Sequence, residues 1–253
     1  MATSPGRHLS KQVNNDIYHE LGERWYHAKD DPVALLRAEA RARNPWVSAE
    51  IQKAFPTASV LDIGCGAGFL ANELARQGMV VTGFDASDES LEIARRYDVT
   101  GRVRYQSGDA NHLPFADESF EVACALDFLE HVEDPSHIVA EAARVLKPGG
   151  LFFFHTFNRN WIAWLFGIKG VEWFVKNTPR NLHSYRYFIK PSELTAMCEQ
   201  SGLKVATMRG LDPVIAQRAF WKMVATGTVD DDFQFKFTNS KWIGYTGIAQ
   251  KKT

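Results

Sequence analysis

The spacing of apolar residues changes near residue 58. In the first fifty residues, Tyr18, Leu21 and Trp25 recur every three to four positions, which predicts amphipathic helix. From Ser59 onward, short apolar runs alternate with amphipathic stretches. This alternation is typical of βαβ units, whose strands form one mostly parallel sheet with helices on both faces. The predicted strands are 59–63, 79–84, 103–106, 120–126 and 151–157, and the predicted helices are 68–77, 87–97 and 134–146.

The C-terminal part contains two further predicted strands, 204–211 and 242–249, after a helix that opens at Pro191. With the five earlier runs they predict a seven-stranded sheet and an α/β fold. The stretch 158–188 is too long and too aromatic for a plain connection. We therefore divide the chain into an N-terminal helical cap (1–57), an α/β core (58–157), an aromatic insert (158–190), and a last helix with closing strands of the same domain (191–253).

Composition narrows the classes of function. The 253 residues include 29 basic and 30 acidic side chains, so no overall charge attracts nucleic acid. Cys65, Cys124 and Cys198 lie far apart, which excludes a disulfide framework and a CxxC zinc site. The first residues lack the apolar core of a signal peptide, and no apolar run reaches the ~18–20 residues that span a bilayer. We expect a cytoplasmic protein, and the sequence leaves its oligomeric state open.

The most specific motif is a glycine-rich turn between a strand and a helix. Residues 60–68 read Val-Leu-Asp-Ile-Gly-Cys-Gly-Ala-Gly. Glycine permits positive φ and lets a ligand approach the backbone. The spacing of Gly64, Gly66 and Gly68 is GxGxG, which differs from the GxGxxG of dinucleotide-binding turns. Asp62 precedes the turn, where its carboxylate can meet an amino group of a ligand.

Two more acids follow the next two predicted strands. Asp85 ends the second strand, about 20 residues after the glycines, where an acid can accept both hydroxyls of an adenosine ribose. Asp109, followed by Ala110, comes after the third strand, where it can accept from an adenine amino group. Because the carboxyl ends of parallel strands meet at one edge of a sheet, we expect Asp62, Asp85 and Asp109 to lie along one crevice.

These motifs resemble those of the class I S-adenosylmethionine (SAM)-dependent methyltransferases. The likeness covers about residues 58–157 and includes Leu-Pro-Phe at 113–115 and Lys-Pro-Gly-Gly at 147–150. It implies SAM as the cofactor and a Rossmann-like fold with an antiparallel last strand. It also implies that Gly64 and Gly66 face the methionine moiety, Asp85 the ribose, and Asp109 with Ala110 the adenine, and that the backbone of Leu126 lies beside the methionine.

A polar triplet interrupts the apolar context after the fourth strand. Asp127, Glu130 and His131 are spaced i, i+3, i+4, which places them on one face of a helical turn. Two carboxylates and an imidazole can bind a divalent cation, and oxygen ligands favour Mg²⁺ or another hard or borderline ion. The alternative is purely structural: an acid that favours the start of a helix, an exposed acid, and a histidine with a backbone partner.

Over nearly the whole chain the sequence resembles a narrower group, the ubiquinone-biosynthesis O-methyltransferases, which methylate polyprenyl catechols. The likeness includes Trp25, Asn44-Pro45, Leu-Glu-His-Val-Glu-Asp-Pro at 129–135, Phe-Asn-Arg-Asn at 157–160 and 188–194. The family carries Glu-x-x-Glu-His as a divalent-metal site, which implies Asp127, Glu130 and His131 as metal ligands.

The chain departs from the family pattern at two positions. Asp127 is one methylene shorter than the family's glutamate, so the charge is kept but the reach changes. Val47 stands where the family tends to have an arginine near the methionine carboxylate, and Arg41 or Arg43 is a candidate to replace that arginine.

The resemblance implies a lipophilic catechol or quinone-type acceptor. A bound cation would lower the pKa of a catechol hydroxyl, and an activated methyl group leaves the protein mainly to position an in-line transfer. We predict Glu130 and His131 as the catalytic residues, with His131 acting as metal ligand or general base. The alternatives are methylation of another lipophilic acceptor, including a quinone-ring carbon, and a non-catalytic SAM-binding scaffold.

The aromatic insert contains a stretch, 161–175, with only two charged residues. It is too short to span a bilayer but suits a segment that lies in the membrane interface. A lid over the acceptor pocket is the alternative, and the two roles are compatible. We therefore predict at most a peripheral contact with anionic lipid on the inner face of the membrane. The basic residues in and around the stretch are Arg159, Lys169, Lys176, Arg180 and Arg186.

Overall fold

The computed structural model of the protein describes residues 17–179 and 182–253. The first sixteen residues of the predicted cap, and Arg180 of the insert, lie outside the described residues. The α/β prediction is confirmed, because a single mostly parallel sheet has helices packed on both faces. Its strand order is β3-β2-β1-β4-β5-β8-β6-β7. The strands are β1 (Ser59–Ile63), β2 (Val80–Asp85), β3 (Arg104–Ser107), β4 (Phe120–Leu126), β5 (Leu146–Phe157), β6 (Leu203–Pro213), β7 (Phe235–Thr238) and β8 (Gly244–Lys251).

The sheet has one strand more than the seven predicted. The five strands β1 to β5 are parallel, and β8 lies antiparallel between β5 and β6, as the family resemblance implied. The additional strand, β7, has only four residues and pairs antiparallel with residues 210–213 of β6 at the edge of the sheet. A run this short carries little signal of its own, and pairing with β6 is what makes it a strand.

The helices and strands predicted from periodicity lie within a few residues of their observed bounds. The helix over 218–226 was not predicted. The helices are α1 (Ile17–Glu20), α2 (Arg24–His27), α3 (Val33–Ala54), α4 (Phe69–Arg76), α5 (Asp88–Tyr97), α6 (Pro135–Val145), α7 (Trp161–Ala163), α8 (Val171–Phe174), α9 (Pro191–Gln200) and α10 (Arg218–Thr226), with 3₁₀ turns at Leu129–His131 and Tyr185–Tyr187 and a π-helical stretch at Trp164–Gly170.

Side chains that alternate along the central strands form two core layers. Leu61 and Ile63 of β1 pack with Ile138 of α6 on one face, whereas Val60 packs with Leu74 of α4 on the other. Successive strand residues point to opposite faces, so a strand covered on both sides is apolar throughout. This packing fixes the positions of the carboxyl ends of the strands and of the loops that follow them, which lie side by side along one edge of the sheet.

Side-chain caps set where two of the helices that follow these strands, α5 and α6, begin. The Ser87 hydroxyl accepts from the Ser90 amide at 3.1 Å at the start of α5. The Asp134 carboxylate accepts from the Ser136 and His137 amides at the start of α6, with Pro135 in the first turn. Such caps satisfy amides that have no partner within the helix.

The N-terminal helices cover the end of the sheet where the glycine turn lies. Trp25 is buried, and its ring stacks on Tyr18 with 5.5 Å between centroids. The Ser90 hydroxyl of α5 donates to the Tyr18 carbonyl oxygen at 2.9 Å, which joins this part of the chain to the core. Within the described residues, no helix combines the length and the apolar content that crossing a bilayer requires.

Candidate active site

The glycine turn between β1 and α4 forms one wall of a cavity of about 550 Å³. Gly64 and Gly66 have φ of +69° and +49°, conformations that side chains rarely adopt. A Cβ on Gly64 would lie 2.2 Å from the Phe128 ring, and one on Gly66 would lie 3.1 Å from the Trp25 ring. The glycines therefore provide both the backbone shape and the open space beside it.

Asp85 is held at the carboxyl end of β2 by two backbone amides. One carboxylate oxygen accepts from the Gly66 amide at 2.8 Å and the other from the Ser87 amide at 2.9 Å. Burial raises the pKa of Asp85 above its usual range, although these two amides oppose the shift. The nearby Asp62 is 3% exposed, and burial raises its pKa to about 7. Both carboxyl groups line the cavity.

Asp109 and Ala110 line a second, smaller cavity of about 360 Å³. It adjoins the first, because Gly64, Asp85 and His131 belong to the walls of both. The Asp109 carboxylate is exposed, and hydrogen bonds from the Asn111 backbone and side chain lower its pKa. The predicted cofactor residues, including Leu126, thus come together in two connected cavities.

Asp127 follows β4 with a φ of +55°, a conformation that is uncommon outside glycine. One carboxylate oxygen lies 2.7 Å from a guanidinium nitrogen of Arg43 on α3, and the other lies 3.5 Å from Nε2 of His155 on β5. The same His155 nitrogen lies 2.9 Å from a carboxylate oxygen of Glu39, one turn before Arg43 on α3. We call Glu39, Arg43, Asp127 and His155 the buried charge cluster.

The charges of this cluster stabilise one another. Burial alone would raise the pKa of Asp127, but Arg43 and His155 together hold it below the usual range. Burial likewise works against a charged His155, yet Glu39 and Asp127 raise its pKa above the ordinary value. Arg43 is 3% exposed and carries the positive charge of a guanidinium at every physiological pH. The cluster holds its charges in pairs.

Glu130 and His131 lie in the 3₁₀ turn after Asp127 and line the same cavity. Burial, and then the charge of Asp127, raise the pKa of Glu130 to about 8. Burial, and then His183, lower the pKa of His131 to about 3. The His131 ring meets the Tyr18 ring edge-on, with 5.6 Å between centroids. Near neutral pH the cavity therefore presents a protonated carboxyl and an uncharged imidazole.

The structure does not gather the three predicted metal ligands around one centre. Among the described residues, the group whose ligand atoms all lie within 4.8 Å of one another is Glu39, Asp127 and His155, without Glu130 or His131. In that group one oxygen of Asp127 is paired with Arg43, and the other faces the imidazole of His155. These residues do not fit a divalent ion, because the guanidinium already lies where the metal's charge would act.

Sequence reasoning missed two members of this cluster, Glu39 and His155. Glu39 and Arg43 are four residues apart on a helix, the spacing of side chains on one face. His155 interrupts the apolar strand Phe-Phe-Phe-His-Thr-Phe at 152–157, and a polar residue inside a buried strand signals a partner. Arg41, considered with Arg43 for the cofactor carboxylate, is exposed and donates to the Asp231 carbonyl oxygen instead.

The far end of the larger cavity is apolar and reaches the insert. Phe166, Trp173 and Phe174 of the insert line it, together with Phe220 and Met223 of α10. Trp173 is also 63% exposed, so this end lies at the protein surface. One continuous cavity thus joins the glycine turn to an exposed aromatic rim.

Comparisons with known proteins identify the family and the fold. A family profile described as "Methyltransferase domain" matches residues 61–154. The ubiquinone biosynthesis O-methyltransferase of Bordetella avium is 36% identical over 204 residues, which are 79% of this chain and 84% of that protein. The enzyme of the same name from Hahella chejuensis is 37% identical over 205 residues, covering 77% and 82%.

Solved structures are similar in fold. The magnesium protoporphyrin IX methyltransferase of Synechocystis, with bound SAH, gives a TM-score of 0.65 at 16% identity and covers 93% of this chain and 97% of its own. A SAM-dependent methyltransferase from Thermotoga maritima gives 0.58 at 20% identity, covering 91% and 94%. Because the curated relatives are similar over more than three quarters of each chain, the likeness extends well beyond the glycine turn and the sheet. The protein is a SAM-dependent methyltransferase, and the chain belongs to the family of ubiquinone biosynthesis O-methyltransferases.

Proposed function

We propose that this enzyme methylates a catechol-like hydroxyl of a polyprenyl quinone precursor. The observation that carries the proposal is the shape of the larger cavity. Its polar end contains Asp85, Glu130 and His131, and its apolar end opens at Trp173 and Phe174. A flat phenol with a long apolar tail matches such a cavity, because its ring can reach the polar groups while its tail follows the aromatic side chains.

At the cofactor end, the proposal assigns each predicted residue a part of SAM. Asp85 accepts from the ribose hydroxyls, since its carboxylate is already oriented by two amides. Gly64 and Gly66 leave room for the methionine moiety, and Asp62 faces its amino group. The remaining assignments are Asp109 and Ala110 to adenine and the Leu126 backbone to the methionine.

At the acceptor end, His131 is the proposed general base. Burial lowers its pKa and keeps it uncharged, so a ring nitrogen can accept a hydrogen bond from the acceptor hydroxyl. The nearby charge of Asp127 favours the imidazolium that forms when the proton moves to His131. Glu130 is protonated near neutral pH and can donate to a second oxygen on the ring. Bound SAM supplies a methyl group on sulfonium sulfur, and that group moves to the acceptor oxygen while the electron pair of the carbon–sulfur bond returns to sulfur. The divalent metal implied by the family motif is not part of this proposal, because Arg43 already pairs with Asp127.

The test of the function is transfer of a labelled methyl group from SAM to catechols with short and long prenyl tails. We expect an O-methylated product and a higher kcat/KM for the longer tail, which fills the apolar end of the cavity. Product analysis by NMR separates O-methylation from methylation of a ring carbon, the main alternative. SAM binding without transfer to any catechol or quinol would favour the scaffold alternative.

We also propose that the aromatic rim at Trp173 and Phe174, together with two further exposed tryptophans, Trp161 and Trp242, docks on a membrane surface. Trp161 is 69% exposed and Trp242 is 64% exposed. The two are neighbours in the fold, because Asn160, which caps α7 before Trp161, donates to the Trp242 carbonyl oxygen at 2.8 Å. Tryptophan favours the boundary between lipid headgroups and hydrocarbon, and a polyprenyl acceptor would enter the cavity from there.

Charge contributes less to this docking than the sequence suggests. Arg159 is paired with Glu193, and Lys169 lies 2.6 Å from Glu172, so two of the basic side chains are already neutralised. The membrane contact should therefore depend mainly on apolar area and only weakly on salt.

Vesicle sedimentation tests the docking surface. In phosphatidylcholine vesicles with one fifth phosphatidylglycerol, Trp161→Glu with Trp173→Glu should weaken binding about tenfold or more, since each lost tryptophan removes more than 1 kcal/mol of apolar transfer. Val99→Glu is the matched control, because Val99 is 79% exposed and lies outside the rim. Wild-type protein that stays in the supernatant with every vesicle would contradict the membrane proposal but leave the methyl transfer standing.

A further inference from the structure

The buried charge cluster combines a guanidinium and an imidazole with two carboxylates. Arg43 and His155 are 3% and 0% exposed, and Glu39 is 7% exposed. Asp127, the fourth member, has 12% of its side chain exposed. Buried charges are tolerated when they are paired, and here each carboxylate has a side-chain nitrogen of Arg43 or His155 within 3 Å.

A divalent ion needs anionic or neutral oxygen donors that are free to face it. The oxygens of Asp127 face Arg43 and His155, and a Glu39 oxygen faces His155. A metal at this place would have to displace a buried guanidinium and then leave that guanidinium unpaired, which is costly.

The position of Arg43 also relates the cluster to the reaction. Its side chain lines the same cavity as Glu130 and His131. Its Nε finds no hydrogen-bond partner among residues 17–179 and 182–253, although it is buried. A buried N–H without a partner is expensive unless a ligand satisfies it. Because the Arg43 side chain lines the cavity, its positive charge favours negative charge that develops on an acceptor oxygen bound there.

We infer that Arg43, packed beside His155, supplies from within the protein the positive charge that a divalent ion supplies in the Glu-x-x-Glu-His site of the family. Methyl transfer by this chain accordingly proceeds without a metal. Arg43 compensates Asp127 and stabilises the acceptor oxygen as it loses its proton. Asp127 stands in place of the family's glutamate and is shorter by one methylene. It belongs to the same replacement of metal by guanidinium, because Arg43 of α3 holds its carboxylate. This inference rests on the proposed function for its catalytic part, whereas the absence of metal binding can be measured without any acceptor.

The first experiment uses the wild-type protein. After chelation and buffer exchange, titration calorimetry with Mg²⁺ should show no binding up to millimolar concentration, and the melting temperature should not change between Mg²⁺ and chelator. Methyl transfer should stay within about twofold of its value before chelation. Binding of Mg²⁺, a rise in melting temperature, or activity that is lost on chelation and restored by Mg²⁺ would each overturn the inference. If the protein transfers no methyl group under any condition but still ignores Mg²⁺, the proposed function fails and the metal-free cluster stands.

The second experiment removes the internal cation. Arg43→Met leaves the Asp127 carboxylate without its guanidinium, so Mg²⁺ should now raise the melting temperature by about 3 °C or more. Arg43→Lys keeps a cation and should show no such rise. Arg41→Met is the matched control, because Arg41 is exposed on the same helix and bonds only a carbonyl oxygen. Folded Arg43→Met that responds to Mg²⁺ no more than the wild type would contradict the proposed replacement. If Arg43→Met does not fold, the wild-type titration still decides.

Discussion

The two ends of the large cavity are built in different ways. The cofactor end comes from one short stretch of chain, the glycine turn between β1 and α4, joined by Asp85 from the neighbouring strand. The acceptor end brings together side chains from α3, the loop after β4, and β5, which are up to 116 residues apart between Glu39 and His155. The first is a local backbone shape, whereas the second is a set of long-range charge pairs. Local shapes can be recognised in a sequence far more readily than distant pairs.

The largest expected effect comes from a substitution in the glycine turn, which disturbs the cofactor end without touching the charge pairs of the acceptor end. Gly64→Ala should destabilise the fold by about 3–5 kcal/mol, since it adds a positive-φ penalty to a clash with the Phe128 ring. SAM affinity should fall at least 100-fold in whatever folded protein remains, as measured by calorimetry. The matched control is Gly101→Ala, which has a φ of +62° but open space around its Cβ, and should cost only about 1–2 kcal/mol. Equal losses for both variants would show that the contact with Phe128 is unimportant.

The second largest effect is a loss of kcat from substitutions at the acceptor end alone. His131→Ala should lower kcat about 100- to 1,000-fold, or roughly 3–4 kcal/mol, because the proposed general base is lost. SAM affinity should change by less than about threefold, since the methionine and adenosine residues stay in place. A parallel loss of SAM binding would mean that the two ends are not separable. Glu130→Ala tests the second group in the same assay, and we expect turnover to be largely lost there too.

A pH series then probes burial at the acceptor end. Because burial and Asp127 raise the pKa of Glu130 to about 8, the folded protein keeps a proton that the unfolded chain releases near pH 4–5. The contribution of this proton to the free energy of unfolding is complete below pH 4–5 and is lost as the pH rises toward 8. Relative to Glu130→Gln, wild type should lose about 3–4 kcal/mol of unfolding free energy between pH 5 and pH 9 in urea titrations. Glu133→Gln is the control and should follow wild type, because Glu133 is exposed and lies outside both cavity walls. A constant difference between wild type and Glu130→Gln would contradict the assigned burial.

The smallest expected effect is a loss of SAM affinity from a substitution at the cofactor end. Asp85→Ala should weaken SAM binding by about 10- to 100-fold, since the ribose loses charge-assisted hydrogen bonds worth roughly 1.5–3 kcal/mol. The same change frees the Gly66 amide, so a small loss of stability should accompany it. Asp88→Ala, at the start of α5, is the comparison variant, because Asp88 lies outside both cavity walls. Unchanged affinity in Asp85→Ala would assign the ribose to another residue.

Much of the fold and the cofactor end could be predicted from the chain alone. Strand and helix periodicity located five parallel strands because both core layers need apolar residues at fixed intervals. The glycine turn was recognisable because positive φ and a close ligand approach restrict the residue type. The family resemblance added the antiparallel last strand and the identity of the cofactor. The domain boundaries and the assignment of individual residues to parts of SAM stay predictions.

The acceptor end depended on the tertiary structure. The spacing of Asp127, Glu130 and His131 suggested one shared centre, but the 3₁₀ turn and the left-handed Asp127 direct that carboxylate toward α3 and β5 instead. Spacing describes neighbours along one helix, and it says nothing of a guanidinium contributed by a distant one. The same reason explains why β7 and α10 were missed, since each is stabilised by what it packs against more than by its own sequence.

The sequence by itself determined the α/β architecture, the SAM-binding turn and the family, because these depend on backbone conformations and apolar periods that local residues specify. Only the tertiary structure decided which charges meet. Arg43 and Asp127 are 84 positions apart, and their 2.7 Å contact exists because α3 packs against the end of the sheet. Electrostatic energy depends on distance and burial in space, and neither quantity can be read along a chain.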